Sequence, residues 1–169
     1  MSVKTNAMRV LDQRQVEYQV HEYSPEIHSA VEAAQAMGKP PECVYKTLVV
    51  MREAPRAKPL LVMVPGDREL DLRVFAKSTG DKKLRMATQK EAESLTGLLV
   101  GGIGALALLN RGFEIWIDPA AQAHEGICVN AGQRGINLEL RVDDLVRVTT
   151  ARWASDLSSF LFPVGAANV

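Results

Sequence analysis

VYKTLVVM, residues 44–51, is β-branched and apolar enough to be an interior strand. Strand alternation puts Lys46 on one face with Leu48 and Val50, and Thr47, Val49 and Met51 on the other. A lysine on so apolar a face must reach solvent, pair, or line a cavity. The structural reading is a strand-end lysine protecting an edge. The functional reading is an ammonium at a pocket mouth, holding a phosphate or a developing oxyanion.

Downstream, residues 53–58 form a polar connection containing Pro55, and residues 59–64 form a second strand bounded by Pro65-Gly66. The two strands read as a hairpin with a loop longer than two residues. Asp71 is placed to cap a helix, LRVFAKST, that Gly80 ends. Residues 83–87 read as a short strand, and Thr88 with Glu91 has capping-box spacing before a brief helix. Upstream, residues 5–15 read as a helix, and Val16, Tyr18 and Val20 alternate as a strand that Ser24-Pro25 breaks. Ser29 and Glu32 open an alanine-rich helix that Gly38 closes, and Pro41 starts a short helical turn.

FEIWID, residues 113–118, is a strand stopped by Pro119. Residues 127–130 and 136–140 are two more, joined by AGQRG, whose glycines suit a tight reversal. Asp143 is placed to cap a last helix carrying Leu145, Val146 and Trp153, and the residues from Pro163 read as frayed. Strands outnumber crossover helices, which favours a mixed, largely antiparallel sheet flanked by helices.

The chain has 169 residues, 47% hydrophobic and 24% charged, with 20 Lys+Arg against 20 Asp+Glu. That composition fits one globular domain, and the zero net charge excludes a constitutively basic nucleic-acid-coating protein. Charge is nonetheless uneven: residues 52–90 hold ten basic and five acidic groups, including Arg68, Arg73, Lys77, Lys82, Lys83 and Arg85. Such a surplus meets a nucleic-acid backbone or forms a solvated helix face. Cys43 and Cys128 lie far apart, outside any CxxC pair, and read as two reduced thiols. His21, His28 and His124 have no HExxH spacing, so neither a metal nor another cofactor is expected. GxSxG, GxGxxG and the phosphate-loop motif are also missing. With no apolar leader and no long apolar run, the expectation is a cytoplasmic protein without membrane partners.

TGLLVGGIGALALLNRG, residues 96–112, holds Gly97, Gly101, Gly102, Gly104 and Gly112. Gly101-Gly102 fits a tight turn with amides directed into a pocket, or a plain bulge.

Taken in order, VHEY at residues 20–23, VYKTLVV at 44–50, STG at 78–80, TGLLVGGI at 96–103, ID at 117–118 and NAGQRGINLEL at 130–140 resemble the YbaK-type aminoacyl-tRNA editing domains. These domains also occur as the insertion domain of bacterial prolyl-tRNA synthetases. The resemblance spans about residues 10–154 and implies one α/β domain with a curved, mixed, mostly antiparallel sheet flanked by helices. We take residues 5–158 as the domain and 159–169 as a tail.

It also implies clearance of a misattached small amino acid from the 3′ end of transfer RNA, with Cys-tRNA(Pro) the leading substrate and Ala-tRNA(Pro) the alternative. By motif match, Lys46, Gly101 and Gly102 are the catalytic candidates. Tyr23, Tyr45, Thr47, Ile103, Gly104, Asn130, Gly132 and Asn137 are the substrate-binding candidates. The implied partners are aminoacyl-tRNA, tRNA(Pro) in particular, and prolyl-tRNA synthetase, with a monomer as the default state.

The chain departs from the family pattern twice. Gly104-Ala105 stands where the loop usually continues Ser-Pro, and Asn137 stands where an aspartate is common. The first change removes a hydroxyl and a rigid residue from the pocket wall, and the second removes a charge. A non-catalytic module that binds aminoacyl-tRNA or a synthetase is the rival reading these departures motivate, and a small-molecule esterase is a third. No triad is needed for the enzyme, because the ester is already activated. Orienting it and a nucleophile while stabilising the oxyanion suffices. The nucleophile is water (a hydrolase), or for a cysteinyl ester the substrate thiol itself, which is formally a lyase reaction.

Overall fold

A computed structural model describes residues 4–155 and 161–163. Helix α1 (Asn6–Gln13) is capped by Thr5, whose hydroxyl accepts from Met8 N, and buries Ala7, Met8 and Leu11. It leads to strand β1 (Gln19–Glu22). Helix α2 (Ala30–Met37) is capped by Ser29 and ends at Gly38 with φ 68°. A short 3-10 turn, Pro41–Cys43, delivers the chain to strand β2 (Tyr45–Arg52), which pairs antiparallel with β3 (Leu60–Pro65).

There follow β4 (Arg68–Leu70), α3 (Leu72–Thr79), β5 (Leu84–Met86) and α4 (Gln89–Thr96). Asp71 caps α3, and Thr88 with Glu91 closes a full capping box on α4. The chain ends through β6 (Glu114–Ile117), β7 (Gly126–Asn130), β8 (Ile136–Arg141), α5 (Val142–Thr149), β9 (Arg152–Trp153) and β10 (Leu161–Pro163).

Among the described residues the strands form three sheets, in the orders β5-β2-β3-β6-β9, β1-β8-β7 and β10-β4. Five pairings are antiparallel, and β3–β6 and β6–β9 are parallel. The expected mixed, mostly antiparallel architecture with flanking helices is what the chain adopts. The larger sheet is covered on both faces, so every residue of β3 is buried. Leu61, Met63, Ile115 and Ile117 face the main core with α1, α5, β7 and β8. Leu60, Val62, Val64 and Trp116 face α3, where Phe75 meets Trp116 edge-on at 5.9 Å.

Three expectations need correction. The first strand is Gln19–Glu22 rather than residues 16–21: Gln15 turns left-handed (φ 57°) and Val16 N donates to Leu11 O, so Val16 closes α1. Val20 is left 41% exposed. Arg141, not Asp143, is the N-cap of α5, and Asp143 and Asp144 stand in its first turn, where carboxylates favour the helix dipole. Trp153 belongs to β9, not to α5. Both cysteines are free thiols, Cys128 buried and Cys43 partly so. Leu161–Pro163 pairs with β4 by backbone register, while the frayed end expected after Pro163 lies outside the described residues. No described helix is long and apolar enough to cross a membrane.

Asp118 is fully buried after β6, accepting from Ala120 N at 2.8 Å through one carboxylate oxygen and leaving the other without a partner. Burial raises its pKa from 3.8 to about 6. The folded state therefore binds this proton more tightly than the unfolded chain, and stability is lost as pH rises from about 4 to about 6. Asp118→Asn keeps the capping acceptor and should remove that loss, worth roughly 2–3 kcal/mol. Urea denaturation of both proteins at pH 4.5 and 7.5 measures it. A wild-type-minus-mutant difference that stays constant with pH would refute the assignment.

Candidate active site

The two larger sheets pack against one core, and among the described residues one isolated parallel bridge, Val44–Cys128, links them through backbone. On its free side, β2 regains a partner only at Val50, where β5 begins to pair. Val49 O accepts from Ala87 N, and amide directions alternate along a strand, so Thr47 turns its N–H and C=O toward the same unpaired edge.

A cavity of about 640 Å³ occupies this gap. It is lined by Lys46 and Leu48 from one face of β2 and by Tyr45, Thr47 and Val49 from the other, as only a strand edge allows. Ala30, Val31 and Ala33 of α2 form one wall, and Met86, Ala87, Thr88 and Gln89 form another.

Lys46 makes no hydrogen bond or ion pair among the described residues. Its burial lowers its pKa, opposed by the charges of Glu69 and then Asp67. A half-buried, unpaired ammonium in an apolar-walled cavity is a binding site for an anion or a developing negative charge. Tyr45 is buried with its hydroxyl unpartnered, and burial pushes its pKa far up, so it stays a neutral phenol.

A neutral polar chain crosses the far wall. Tyr23 follows β1, held by its N–H on Gly135 O, and donates its hydroxyl to Asn137 Oδ1 at 3.1 Å. Asn130 Nδ2 reaches the same oxygen at 3.5 Å and Gly101 O at 3.1 Å. Asn130 Oδ1 in turn accepts from Gly132 N at 2.7 Å and Gln133 N at 3.1 Å. Asn137 thus serves as an uncharged acceptor where an aspartate would bury a charge.

Tyr23, Tyr45, Lys46, Thr47, Gly101, Ile103, Asn130 and Asn137 all line the cavity. Gly102, Gly104 and Gly132 do not: they lie behind its wall, where two loops interlock. Residues 100–104 pack against the β7–β8 turn so closely that a Cβ on Gly102 would fall 2.8 Å from Arg134 N. One on Gly104 would fall 2.2 Å from Asn130 O, and one on Gly132 would fall 2.5 Å from the Ala107 Cβ. Arg134 Nε clamps Val100 O at 2.7 Å. Gly102 N–H is spent on Leu99 O at 2.7 Å, whereas strand alternation turns the Thr47 N–H toward the open edge of β2.

Sequence reasoning missed His28, which overlies Gly101, and Glu69, which faces Lys46 across the cavity. Neither carries a motif signal, since both arrive from loops and short elements placed by tertiary packing. His21, Glu139 and Lys39 form a separate ion network beside the buried Cys128, at 2.8 and 3.0 Å.

The interlock predicts the outcome of restoring the family's usual serine. Gly104→Ser should cost about 1–3 kcal/mol, because the clash is with backbone. Thermal denaturation should register a clear fall in Tm, and an unchanged Tm would show that the loop relaxes freely.

The aminoacyl-tRNA editing domain family matches residues 24–148. The Enterococcus faecalis protein EbsC, which carries the provisional name of a Cys-tRNA(Pro)/Cys-tRNA(Cys) deacylase, is 34% identical over 89% of this chain and 92% of its own length. The proline–tRNA ligase of Aquifex aeolicus is 30% identical over 56% of this chain but only 16% of its own length. The crystal structure of hypothetical protein APE2540 superposes with a TM-score of 0.79 at 24% identity, covering 88% of this chain and 97% of that one. A structure described as a trans-editing enzyme candidate for prolyl-tRNA synthetase gives a TM-score of 0.75 at 27% identity, covering 90% and 97%. The family model spans most of the chain and EbsC matches over nearly its whole length, so this chain belongs to the aminoacyl-tRNA editing domain family.

Proposed function

We propose that this protein is a free-standing aminoacyl-tRNA deacylase that clears a small misattached amino acid, with Cys-tRNA(Pro) the first substrate and Ala-tRNA(Pro) the second. The observation that carries this reading is Lys46, an unpaired cation half-buried beside an open strand edge. EbsC, similar over nearly its whole length, supports cysteine as the first amino acid to try.

Lys46 and the Thr47 N–H can meet the carbonyl oxygen or terminal phosphate, supplying fixed positive charge where the tetrahedral intermediate needs it. The apolar wall of Ala30, Val31 and Ala33 excludes water from the ester except at the mouth. The nucleophile is then a water or the cysteine substrate's own thiol. Either adds to the carbonyl, and the ester C–O bond breaks to release the ribose hydroxyl. Charged tRNA(Pro) is the partner, with prolyl-tRNA synthetase as its source, and the cytoplasm is the compartment.

The test is deacylation of Cys-, Ala- and Ser-tRNA(Pro), with Lys46→Ala beside the wild type. We expect selective loss of one ester, slowed roughly 100-fold in the variant. Survival of all three esters at excess protein would overturn the enzyme reading in favour of a binding module.

A further inference from the structure

The mouth of the cavity has two rims of opposite charge. Residues 82–90, KKLRMATQK, contain Lys82, Lys83, Arg85 and Lys90 and no carboxylate. The same segment supplies Met86, Ala87, Thr88 and Gln89 to the cavity wall. All four cations are exposed. Arg85 is held by Glu91 at 2.7 Å, whereas Lys82, Lys83 and Lys90 have no ion pair among the described residues. Asp81, the nearest preceding carboxylate, is occupied by Arg52 and by the Thr79 hydroxyl.

The opposite rim is built from residues 18–38, which include Glu22, Glu26 and Glu32, all exposed, and no lysine or arginine. That segment supplies Tyr23, His28, Ser29, Ala30, Val31 and Ala33 to the other side of the cavity. A polyanion approaching this mouth is repelled from one side and attracted to the other.

β5 also ends its sheet, so its outer edge meets solvent. From Ala87 back to Lys83 the chain extends roughly 13 Å away from the cavity at about 3.3 Å per residue. Arg85, Lys83 and Lys82 therefore lie along a line leading out of the site, while Lys90 stands in the first turn of α4, beyond the lining residues.

We propose that the RNA backbone just before the charged 3′ end runs outward along β5, its phosphates held by Lys82 and Lys83. The α2 rim, with Glu22, Glu26 and Glu32, faces away from the nucleic acid. This deepens the proposed function, on which it rests for the identity of the ligand, and it is tested without any catalytic readout.

The experiment is binding of uncharged tRNA(Pro) by fluorescence anisotropy between 50 and 200 mM salt. The proteins are the wild type, Lys82→Glu/Lys83→Glu, the milder Lys82→Ala/Lys83→Ala, and Glu26→Gln/Glu32→Gln on the other rim. Each lost phosphate contact should lower the slope of log K against log salt by about one. Both lysine pairs should therefore weaken binding and flatten the slope by about two, the charge reversal more strongly. The glutamate pair should leave the slope unchanged. Wild-type affinity and slope in both folded lysine variants would overturn the proposal, as would no wild-type binding or equal effects from the two rims. Rim-dependent binding without deacylation would refute the enzyme reading and leave the docking surface standing. Deacylation indifferent to the lysines would do the reverse.

Discussion

One parallel bridge, Val44–Cys128, sets the geometry on which the site depends. If β7 continued along β2, the sheet would close and no cavity would form. The shared core already holds the small sheet against the large one, and the bridge fixes its register beside the start of β2. The bridge is held where β2, β3 and α2 converge. Gly66 N donates to Val44 O at 2.8 Å, and a Cβ on Gly66 would strike the Ala30 Cβ at 2.6 Å. Unpaired strand edges are a hazard that proteins cover or charge. Here α2 covers the edge incompletely, and the gap it leaves exposes Lys46 and the Thr47 amide.

The second constraint is the close approach of two loops. A glycine loop in an editing domain invites the thought that its amides bind the oxyanion. The contacts divide the glycines differently. Gly101 meets the cavity, with φ 91° and His28 packed over it, while Gly102 and Gly104 let the loop press against the β7–β8 turn. Asn130 then holds both sides, capping its own turn with Oδ1 and taking Gly101 O with Nδ2. The loop is held because backbone meets backbone.

Much of this was legible in the chain because helix ends carry local chemistry. Ser29, Asp71 and Thr88 cap as their hydroxyl or carboxylate spacing suggests, Gly38 and Gly80 end helices left-handed, and Thr5, read as part of the first helix, is its N-cap. Asp143 failed because Arg141 already held the extended cap conformation at the end of β8. The short strands β4, β9 and β10 were missed, since two or three residues carry too little alternation to read. Periodicity correctly assigned the two faces of β2 but carried no information on where its edge would lie open. That depends on β5 and β7, both distant in sequence, so Glu69 and His28 could not be placed beforehand.

The absence of net charge is equally uninformative until the fold is known. Twenty cations and twenty anions describe a neutral protein, yet of the segments lining the cavity, residues 82–90 carry only cations and residues 18–38 carry glutamates but no lysine or arginine. Glu69 lines the cavity from an exposed position, and the buried far wall stays neutral: Asn137 accepts from Tyr23 and Asn130, where a buried carboxylate would compete with an entering anion for Lys46. In a region of reduced dielectric such competition weakens Lys46, the cation that lines the gap without a partner among the described residues. Asn137 therefore fits the site electrostatically as well as sterically. It keeps the ammonium field directed at whatever enters, while the exposed lysines along β5 bias the direction from which it enters.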